Sequence, residues 1–414
     1  MDDLRDRNWS DKTIWTGDNL GIMRGMNSET VDLIYLDPPF NSNADYAAPI
    51  GSQAAGAAFS DTWTLRDVDA EWINLMESRH PQLWQMLLAA TTPSDKSYLA
   101  YMAVRLLEMH RLLKPTGSLY LHCDPTMSHY LKLLLDAVFG RSRFRNEVIW
   151  AYRRWPSKQM NFQRMHDVIL RYSAGDSPTF NVEYEPPSES YLKRFKGKTQ
   201  VLDPETGTRK LVVDEPTKGM PLRDVWEISI IAGSSKERIG YPTQKPLKLL
   251  ERVIRTSSNP GDVVFDPFCG CATTLVAADD LQRSWVGIDI SEKAAELVIQ
   301  RIETRQGLFR DIVHRTDIPQ RTDLGALPPY NCATNRNLLY GQQTGHCAGC
   351  NEHFKARHLE VDHIIARGKG GTEHIDNLQL LCGSCNRIKG DRGMEYLHTK
   401  LRLHNPQHQP GRTP

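Results

Sequence analysis

TIWTGDNLGIMRGMNSETVDLIYLDPPF, residues 13–40, reads as strand, helix, strand. Ile14-Trp15 opens it, Gly17-Asp18-Asn19 supplies a turn, and Val31-Asp-Leu-Ile-Tyr-Leu36 is an apolar run short enough for a buried strand. Asp37-Pro38-Pro39-Phe40 follows at once, so a functional loop is expected where that strand ends.

Working outward, the same alternation continues. Helices are expected over Glu71–Ala90 and Ser97–Leu113, the second stopped by Pro115-Thr-Gly117, and a strand over Ser118–His122. A helix over Met127–Phe139 leads to strands at Glu147–Tyr152 and His166–Tyr172. After an irregular stretch the pattern returns: helix Pro246–Ser257, strand Val263–Phe265, helix Thr273–Leu281, strand Trp285–Ile288, helix Glu292–Thr304. Strands alternating with helices predict an α/β fold, a mainly parallel Rossmann-like sheet with helices on both faces. Residues 41–63, rich in Ala, Gly, Ser and Asn, read as a mobile loop. Residues 173–222 hold no period and read as an insertion, and 315–336, with Pro319, Gly325 and Pro328-Pro329, as a linker. The expected organisation is therefore a domain over 10–314, the linker, a small domain over 337–395 and a tail over 396–414.

At 414 residues the chain is long enough for more than one core. A net charge of +1 excludes a uniformly basic nucleic-acid coat but leaves room for local basic patches. No apolar run approaches the ~20 residues needed to cross a bilayer, so the expectation is a soluble, cytoplasmic protein without a membrane partner. Of eight cysteines, Cys347-x-x-Cys350 and Cys382-x-x-Cys385 have metal-ligand spacing rather than that of a disulfide framework. Cys269 and Cys271 flank Gly270 and read as small packing residues rather than a redox pair.

The chemistry of Asp37-Pro-Pro-Phe40 can be argued from the residues. An exocyclic amino group on a base is a poor nucleophile because its lone pair is delocalised into the ring. A carboxylate and a backbone carbonyl can accept both amino hydrogens and favour sp3 nitrogen, while an aromatic face stacks the base. Asp37, the Pro38 carbonyl and Phe40 suit those tasks, and Pro38 with Pro39 would fix the turn. An ordinary strand-end turn is the plainer alternative. Farther along, Asp262-Val-Val-Phe-Asp266-Pro-Phe268-Cys-Gly270 is a strand feeding a small-residue turn and a helix, and Asp289 ends the next strand. That pattern suits a nucleoside cofactor whose ribose Asp289 would hold. The turn lacks G-x-G-x-x-G spacing, which points to a cofactor without a pyrophosphate, such as S-adenosylmethionine.

Over residues 13–305 the chain resembles the beta-class DNA amino-methyltransferases, in which the catalytic tetrapeptide precedes the cofactor loop. The matching pieces are Thr16-Gly-Asp-Asn19, Leu36–Asn41, Leu113–Ser118, Tyr241-Pro-Thr-Gln-Lys-Pro246, Asp266–Thr274 and Val286-Gly-Ile-Asp289. The resemblance implies direct attack of the base amino nitrogen on the sulfonium methyl, without a cysteine nucleophile. It places Asp18 near the adenine of the cofactor, and Thr243 and Lys245 at its methionine end; a turn acid and a solvated lysine are the alternatives for Asp18 and Lys245. Asp266, Phe268, Gly270 and Asp289 complete the implied cofactor set. Adenine N6 in double-stranded DNA is the implied target, cytosine N4 the alternative, and the base must be flipped out of the stack. Residues 41–63 would close over it. The insertion, with Lys193, Arg194, Lys196 and Lys198 among Tyr191 and Phe195, sits where this class carries target recognition, although a solvated loop would look similar. One departure is Ala272 where a glycine is usual, acceptable if the backbone there keeps negative φ.

The cysteine pairs predict a structural zinc on Cys347, Cys350, Cys382 and Cys385. Leu359-Glu-Val-Asp362-His363, Asp376-Asn377 and Asn386-Arg-Ile-Lys-Gly390 lie among and after them, and residues 345–392 resemble the HNH, or beta-beta-alpha-metal, nucleases. That resemblance implies Asp362 and Asn386 as ligands of a magnesium or other divalent ion, His363 as general base and Asn377 as the residue orienting its loop. Three readings stay open: a bifunctional enzyme of the restriction-modification or phage-defence kind, a methyltransferase whose zinc module only binds DNA, and a nuclease with a methyltransferase-like scaffold. Two-strand cutting by one such module would need a homodimer or successive nicks.

Overall fold

The computed structural model describes residues 7–40, 45–47, 52–54, 58–60, 80–155, 160–202, 209–306 and 311–404. β1 (Thr13–Thr16), α1 (Asn19–Gly25) and β2 (Val31–Leu36) form the first unit, followed by a short hairpin of β3 (Asp45–Ala47) with β4 (Ala58–Ser60). Then come α2 (Pro81–Leu88), α3 (Pro93–Leu112), β5 (Leu113–Cys123), α4 (Ser128–Phe139), β6 (Phe144–Ala151) and β7 (His166–Ser173). Most of the loop expected over 41–63, the start of the helix expected from Glu71 and most of the tail lie outside the described residues.

The irregular stretch holds more regular structure than its composition suggested: β8 (Tyr184–Glu185), α5 (Glu189–Phe195), β9 (Lys198–Leu202), β10 (Arg209–Pro216) and β11 (Met220–Pro221), paired as two small antiparallel ladders. α5 forms because Ser188 accepts the Tyr191 amide at 3.2 Å as its N-cap. β12 (Val225–Glu227), α6 (Leu247–Ser257), β13 (Val263–Asp266), α7 (Thr273–Asp280), β14 (Ser284–Asp289), α8 (Glu292–Gln306) and β15 (Val313–Arg315) complete the large unit.

Nine strands make one sheet in the order β12-β6-β7-β5-β2-β13-β14-β1-β15. β7 alone runs antiparallel to its neighbours β5 and β6; every other pairing is parallel. β2 is buried along its whole length, with Val31, Ile34 and Leu36 packing beside Leu99, Met102 and Leu131, and Leu33 and Tyr35 beside Leu249, Val253 and Leu275. Burial on both faces explains why its sequence is an apolar run rather than an alternation. From β2 the chain moves on to β5 on one side, and from β13 to β14 on the other. A crevice therefore opens between β2 and β13 at the carboxyl ends of the strands, where open α/β sheets bind ligands.

β15 pairs Val313 with Thr13, closing the β1 edge, and the next residues lie along α1 rather than hanging free. Asn8 Nδ2 donates to the Gln320 carbonyl at 2.7 Å and Asn27 Nδ2 to Thr322 Oγ1 at 2.8 Å. A Cβ at Gly25 would stand 1.9 Å from the Pro319 carbonyl oxygen, so only glycine admits that approach. α9 (Ala333–Gln342) begins inside the stretch read as linker. It packs with β16 (Leu359–His363), β17 (Leu378–Cys382), α10 (Gly383–Lys389) and α11 (Met394–His404) around Leu339, Leu359, Leu380 and Leu397. Among the described residues no helix is long and apolar enough to cross a membrane.

Candidate active site

β2 delivers Asp37 to the crevice, with Pro38 buried and Phe40 half-buried behind it. Lys245, itself buried, forms an ion pair with Asp37 through Oδ2. That excludes the solvated lysine: the chain before α6 turns this ammonium onto the carboxyl end of β2. Asp37 Oδ1 is buried and has no hydrogen-bond partner. A buried carboxylate oxygen left unmatched is costly unless a donor arrives. An amino group is such a donor.

Behind Asp37 stands a group that the motifs did not indicate. His122, on β5, is fully buried; its Nδ1 lies 2.7 Å from the Tyr35 hydroxyl and 3.9 Å from Asp37 Oδ1, and its Nε2 lies 3.1 Å from Asp167 on β7. Tyr152 donates to the other Asp167 oxygen at 2.9 Å. Burial works to raise the Asp167 pKa, but the His122 hydrogen bond and charge outweigh it, so the carboxyl titrates below its ordinary value. Phe40 stacks on the His122 ring at 5.8 Å between centroids. In the sequence the two are only a histidine at the end of one expected strand and an aspartate near the start of another, with nothing to pair them.

Across the crevice, β13 and β14 end in Asp266 and Asp289. Burial pushes the Asp266 carboxyl up to about 7, against hydrogen bonds from the Thr274 side chain and the Phe268 amide and reinforced by the charges of Asp37 and Asp289. A folded-state pKa above the unfolded one means the folded protein holds this proton more tightly, so stability falls as pH rises from about 4 toward 7 and levels off above it. Urea midpoints across that window should decline in the wild type and stay flatter in Asp266→Asn; equal slopes would refute the assignment.

Asp289 accepts the Gly270 amide on Oδ2 and the Ser291 amide on Oδ1, both at 2.9 Å, and burial raises its pKa. Each oxygen keeps a lone pair, which leaves room for ribose hydroxyls. Gly270 has φ +47°, and a Cβ there would lie 3.1 Å from the Tyr241 ring. Gly270→Ala is therefore expected to cost about 1–2 kcal/mol of stability and to weaken cofactor binding, as denaturation and cofactor titration would show; unchanged values for both would sink it. Ala272 corrects the sequence expectation. Its φ is +64°, not negative. Strain of about 1–2 kcal/mol is offset in part by its buried methyl, beside Leu275 and Val276, which returns roughly 0.8 kcal/mol.

Asp18 caps α1 through the Leu20 amide at 2.9 Å and pairs with Arg105 at 2.8 Å, on the same oxygen, while its side chain stays 63% exposed. Arg105 also donates to Asn19 at 2.7 Å and lies 3.4 Å over the Tyr101 ring, whose neighbour is Phe268. Thr243 is exposed at φ +60°, its carbonyl accepting from Lys245 at 3.4 Å. Cys269 and Cys271 are buried, unpaired thiols whose pKa values burial raises, in keeping with packing roles.

In the C-terminal unit, Cys347, Cys350, Cys382 and Cys385 bring their sulfurs within 4.8 Å of one another, the one His/Cys/Asp/Glu cluster of metal-binding geometry among the described residues. The Cys382 and Gly349 amides point at Cys347 Sγ at 3.2 and 3.4 Å, stabilising thiolate, so the site fits zinc. Asn377 accepts the Ile365 amide at 2.9 Å and donates to the Ile365 and Thr372 carbonyls, pinning the loop after His363. His363 Nε2 is buried without a partner, and its ring lies 4.6 Å from that of Tyr330. The implied magnesium pair fares differently. Asp362 Oδ2 is held by buried Lys389 and by Gln379, each at 3.0 Å, while Asn386 donates to Glu360 at 2.6 Å. An ammonium seated on the carboxylate does not fit a divalent cation there.

The family model described as DNA methylase, of N6/N4 type, matches residues 31–300, and that described as HNH endonuclease matches residues 347–392. The Type II methyltransferase M.EcaI of Enterobacter cloacae is 28% identical over 367 residues, spanning 75% of this chain and 73% of that protein. The DNA adenine methyltransferase YhdJ of Escherichia coli K12 is 24% identical over 300 residues, spanning 70% and 83%. Among solved structures, the M1.HpyAVI complex with SAM is 18% identical with a TM-score of 0.40, covering 70% of this chain and 98% of that one. The cytosine-N4-specific PvuII DNA methyltransferase is 15% identical with a TM-score of 0.42, covering 70% and 86%. With a family match over more than half of its length, and with Asp37, Asp266 and Asp289 gathered at one sheet edge, the chain belongs to the N6/N4 DNA methylase family and carries an HNH domain toward its C-terminus.

Proposed function

We propose that this chain transfers a methyl group from S-adenosylmethionine to adenine N6 at a specific site in double-stranded DNA, and that its HNH domain cleaves DNA, as in a restriction-modification or phage-defence enzyme. The observation that carries the first part is the unmatched, buried Asp37 Oδ1 beside Lys245 and Phe40. Asp37 Oδ1 and the Pro38 carbonyl would take the two amino hydrogens of the flipped base, drawing the nitrogen lone pair out of the ring. Phe40, braced on His122, would stack the base. Asp289 and Asp266, with the Gly270 turn, would hold the cofactor, which supplies an electrophilic methyl on sulfonium; Asp18, Phe268, Thr243 and Lys245 would line its site. His122, tied to Tyr35 and Asp167, positions Asp37 and Phe40. The preference for adenine rests on the Asp-Pro-Pro-Phe tetrapeptide and on the adenine-methylating relative.

For the HNH domain, the unpartnered His363 Nε2 supports a water-activating base. Lys389 seated on Asp362 favours a second reading, a zinc-stapled module that binds DNA without cutting it. Purified protein, unmethylated DNA and labelled S-adenosylmethionine decide both, with magnesium present and absent. Label on adenine supports the first part; label on cytosine, or none, overturns it. Nicking abolished in His363→Ala supports cleavage, and intact DNA throughout, with methylated duplex run alongside, overturns it and favours the binding reading.

A further inference from the structure

Gly21 and Gly25 stand four residues apart on α1 and so share one face of it. Glycine is disfavoured inside a helix, yet here both positions are pressed by chain from beyond β15. A Cβ at Gly21 would lie 3.3 Å from Ile318 Cδ1 and 3.9 Å from the Lys369 carbonyl oxygen. One at Gly370 would lie 2.9 Å from the Gly21 carbonyl oxygen and 3.6 Å from Arg24 Cβ. The loop that follows His363 in the HNH domain therefore rests on α1, beside the segment carrying Ile318 and Pro319. That segment is bonded to the turn after α1: the Thr322 amide donates to Asn27 Oδ1 and the Ser28 amide to Asp323 Oδ2, each at 2.9 Å.

The continuation of the same segment reaches the candidate base itself. Tyr330 lies with its ring against that of His363, whose Nε2 is sealed from solvent without a partner. Its carbonyl accepts Asn335 Nδ2 at 3.2 Å, which ties it to the start of α9. The His363 backbone is fixed from the other side: Lys389 donates to its carbonyl at 2.9 Å, and the Ile364 amide donates to the Asn377 carbonyl at 2.8 Å. A water-activating base must meet its water, within hydrogen-bond reach, beside a scissile phosphate. With that backbone held, access to Nε2 is gained by moving what lies on the ring.

We propose that docking on α1 holds the HNH domain closed. Loop 366–371 seated on Gly21 and the Tyr330 ring seated on His363 together keep a DNA phosphate from the base, and the domain cuts only after it leaves α1. This rests on the reading that the HNH domain cleaves DNA, and it names what restrains that cleavage.

Two variants open the closed form from different sides. Tyr330→Ala removes the cover, and Gly21→Gln sets a longer side chain between Ile318 and the Lys369 carbonyl while suiting the helix better than glycine. Tyr330→Phe keeps the ring and serves as the conservative control. Zinc content and the thermal transition show that each full-length variant folds. Two readouts are then taken: acylation of His363 by diethyl pyrocarbonate, located by mass spectrometry, and nicking of unmethylated supercoiled plasmid with magnesium present. In wild type and Tyr330→Phe, His363 should react more slowly than exposed His358. In Tyr330→Ala and Gly21→Gln, acylation of His363 and nicking should both rise about tenfold or more, the gain from relieving a roughly ten-to-one bias toward the closed form. Adding His363→Ala to either variant should abolish the nicking. Wild-type His363 reacting as fast as His358 overturns the proposal, and so does unchanged acylation in both variants. A rise confined to Tyr330→Ala overturns it as well, because the cover would then not depend on α1. Where the wild type nicks measurably, faster acylation without faster nicking has the same result. Nicking by none of the proteins, with His363 acylated freely in both variants, would instead fell the cleavage reading, and this proposal with it.

Discussion

Asp37→Asn is expected to lower the single-turnover rate of methyl transfer by about 10²- to 10³-fold, the usual cost of removing one preorganised group that acts on the reacting atoms. The substitution is nearly isosteric, and Lys245 can still donate to the amide oxygen, so the turn and the fold should survive. What changes is the second position. Asp37 Oδ1 is a buried acceptor without a partner, whereas an Asn amide offers one oxygen and one NH2 group. With Lys245 holding the oxygen, the NH2 would face the base amino group, donor against donor. Cofactor affinity should change little, because Asp289, Asp266 and the Gly270 turn come from other strands. A labelled-methyl assay with a separate cofactor titration checks both halves; a rate within threefold of wild type would remove Asp37 from the chemistry.

We propose that the four-cysteine cluster holds a structural zinc, and its removal is expected to unfold the C-terminal unit while leaving the proposed methyl transfer in place. That unit has a small core around Leu339, Leu359, Leu380 and Leu397, into which Cys347, Cys382 and Cys385 themselves are built. A structural zinc contributes on the order of 10 kcal/mol in comparable modules, more than so few buried side chains leave in surplus over chain entropy. Cys382→Ser in the full chain should therefore lose bound zinc and become sensitive to limited proteolysis beyond about residue 330, with the large unit intact. The large unit has its own cores on both faces of the sheet and should keep its thermal transition. Zinc content by elemental analysis and protease mapping are the measurements. Unchanged protection in a zinc-free variant would show that packing alone holds the unit.

Most of the large fold was legible because its signals are local. The apolar run Val31–Leu36, the amphipathic helix Leu247–Ser257 and the turn after Asp266 each announce themselves within a few residues, and an acid at a strand end declares a site at the sheet edge. The order of these motifs, with the cysteine pairs, was enough to identify an α/β methylase sheet followed by an HNH domain. Strand direction was less legible: β7 reads like its neighbours but runs the other way, because burial pattern does not encode polarity.

Only the folded arrangement decided who faces whom. His122 and Asp167 meet because β5 and β7 pair antiparallel with Cys123 opposite Val168, a register set by the packing of two whole strands. Lys245 reaches Asp37, and Lys389 reaches Asp362, across distances in sequence over which no period or spacing carries information. The left-handed backbone at Ala272 likewise follows from fitting α7 beneath the cofactor turn, against what an alanine would choose alone. The tetrapeptide Asp37–Phe40, with its two prolines and strand-end acid, carries the proposed chemistry in the sequence. The charge and hydrogen-bond partners that would make it reactive come from β5, β7, the chain after β6 and the chain before α6, which tertiary packing alone brings to that edge.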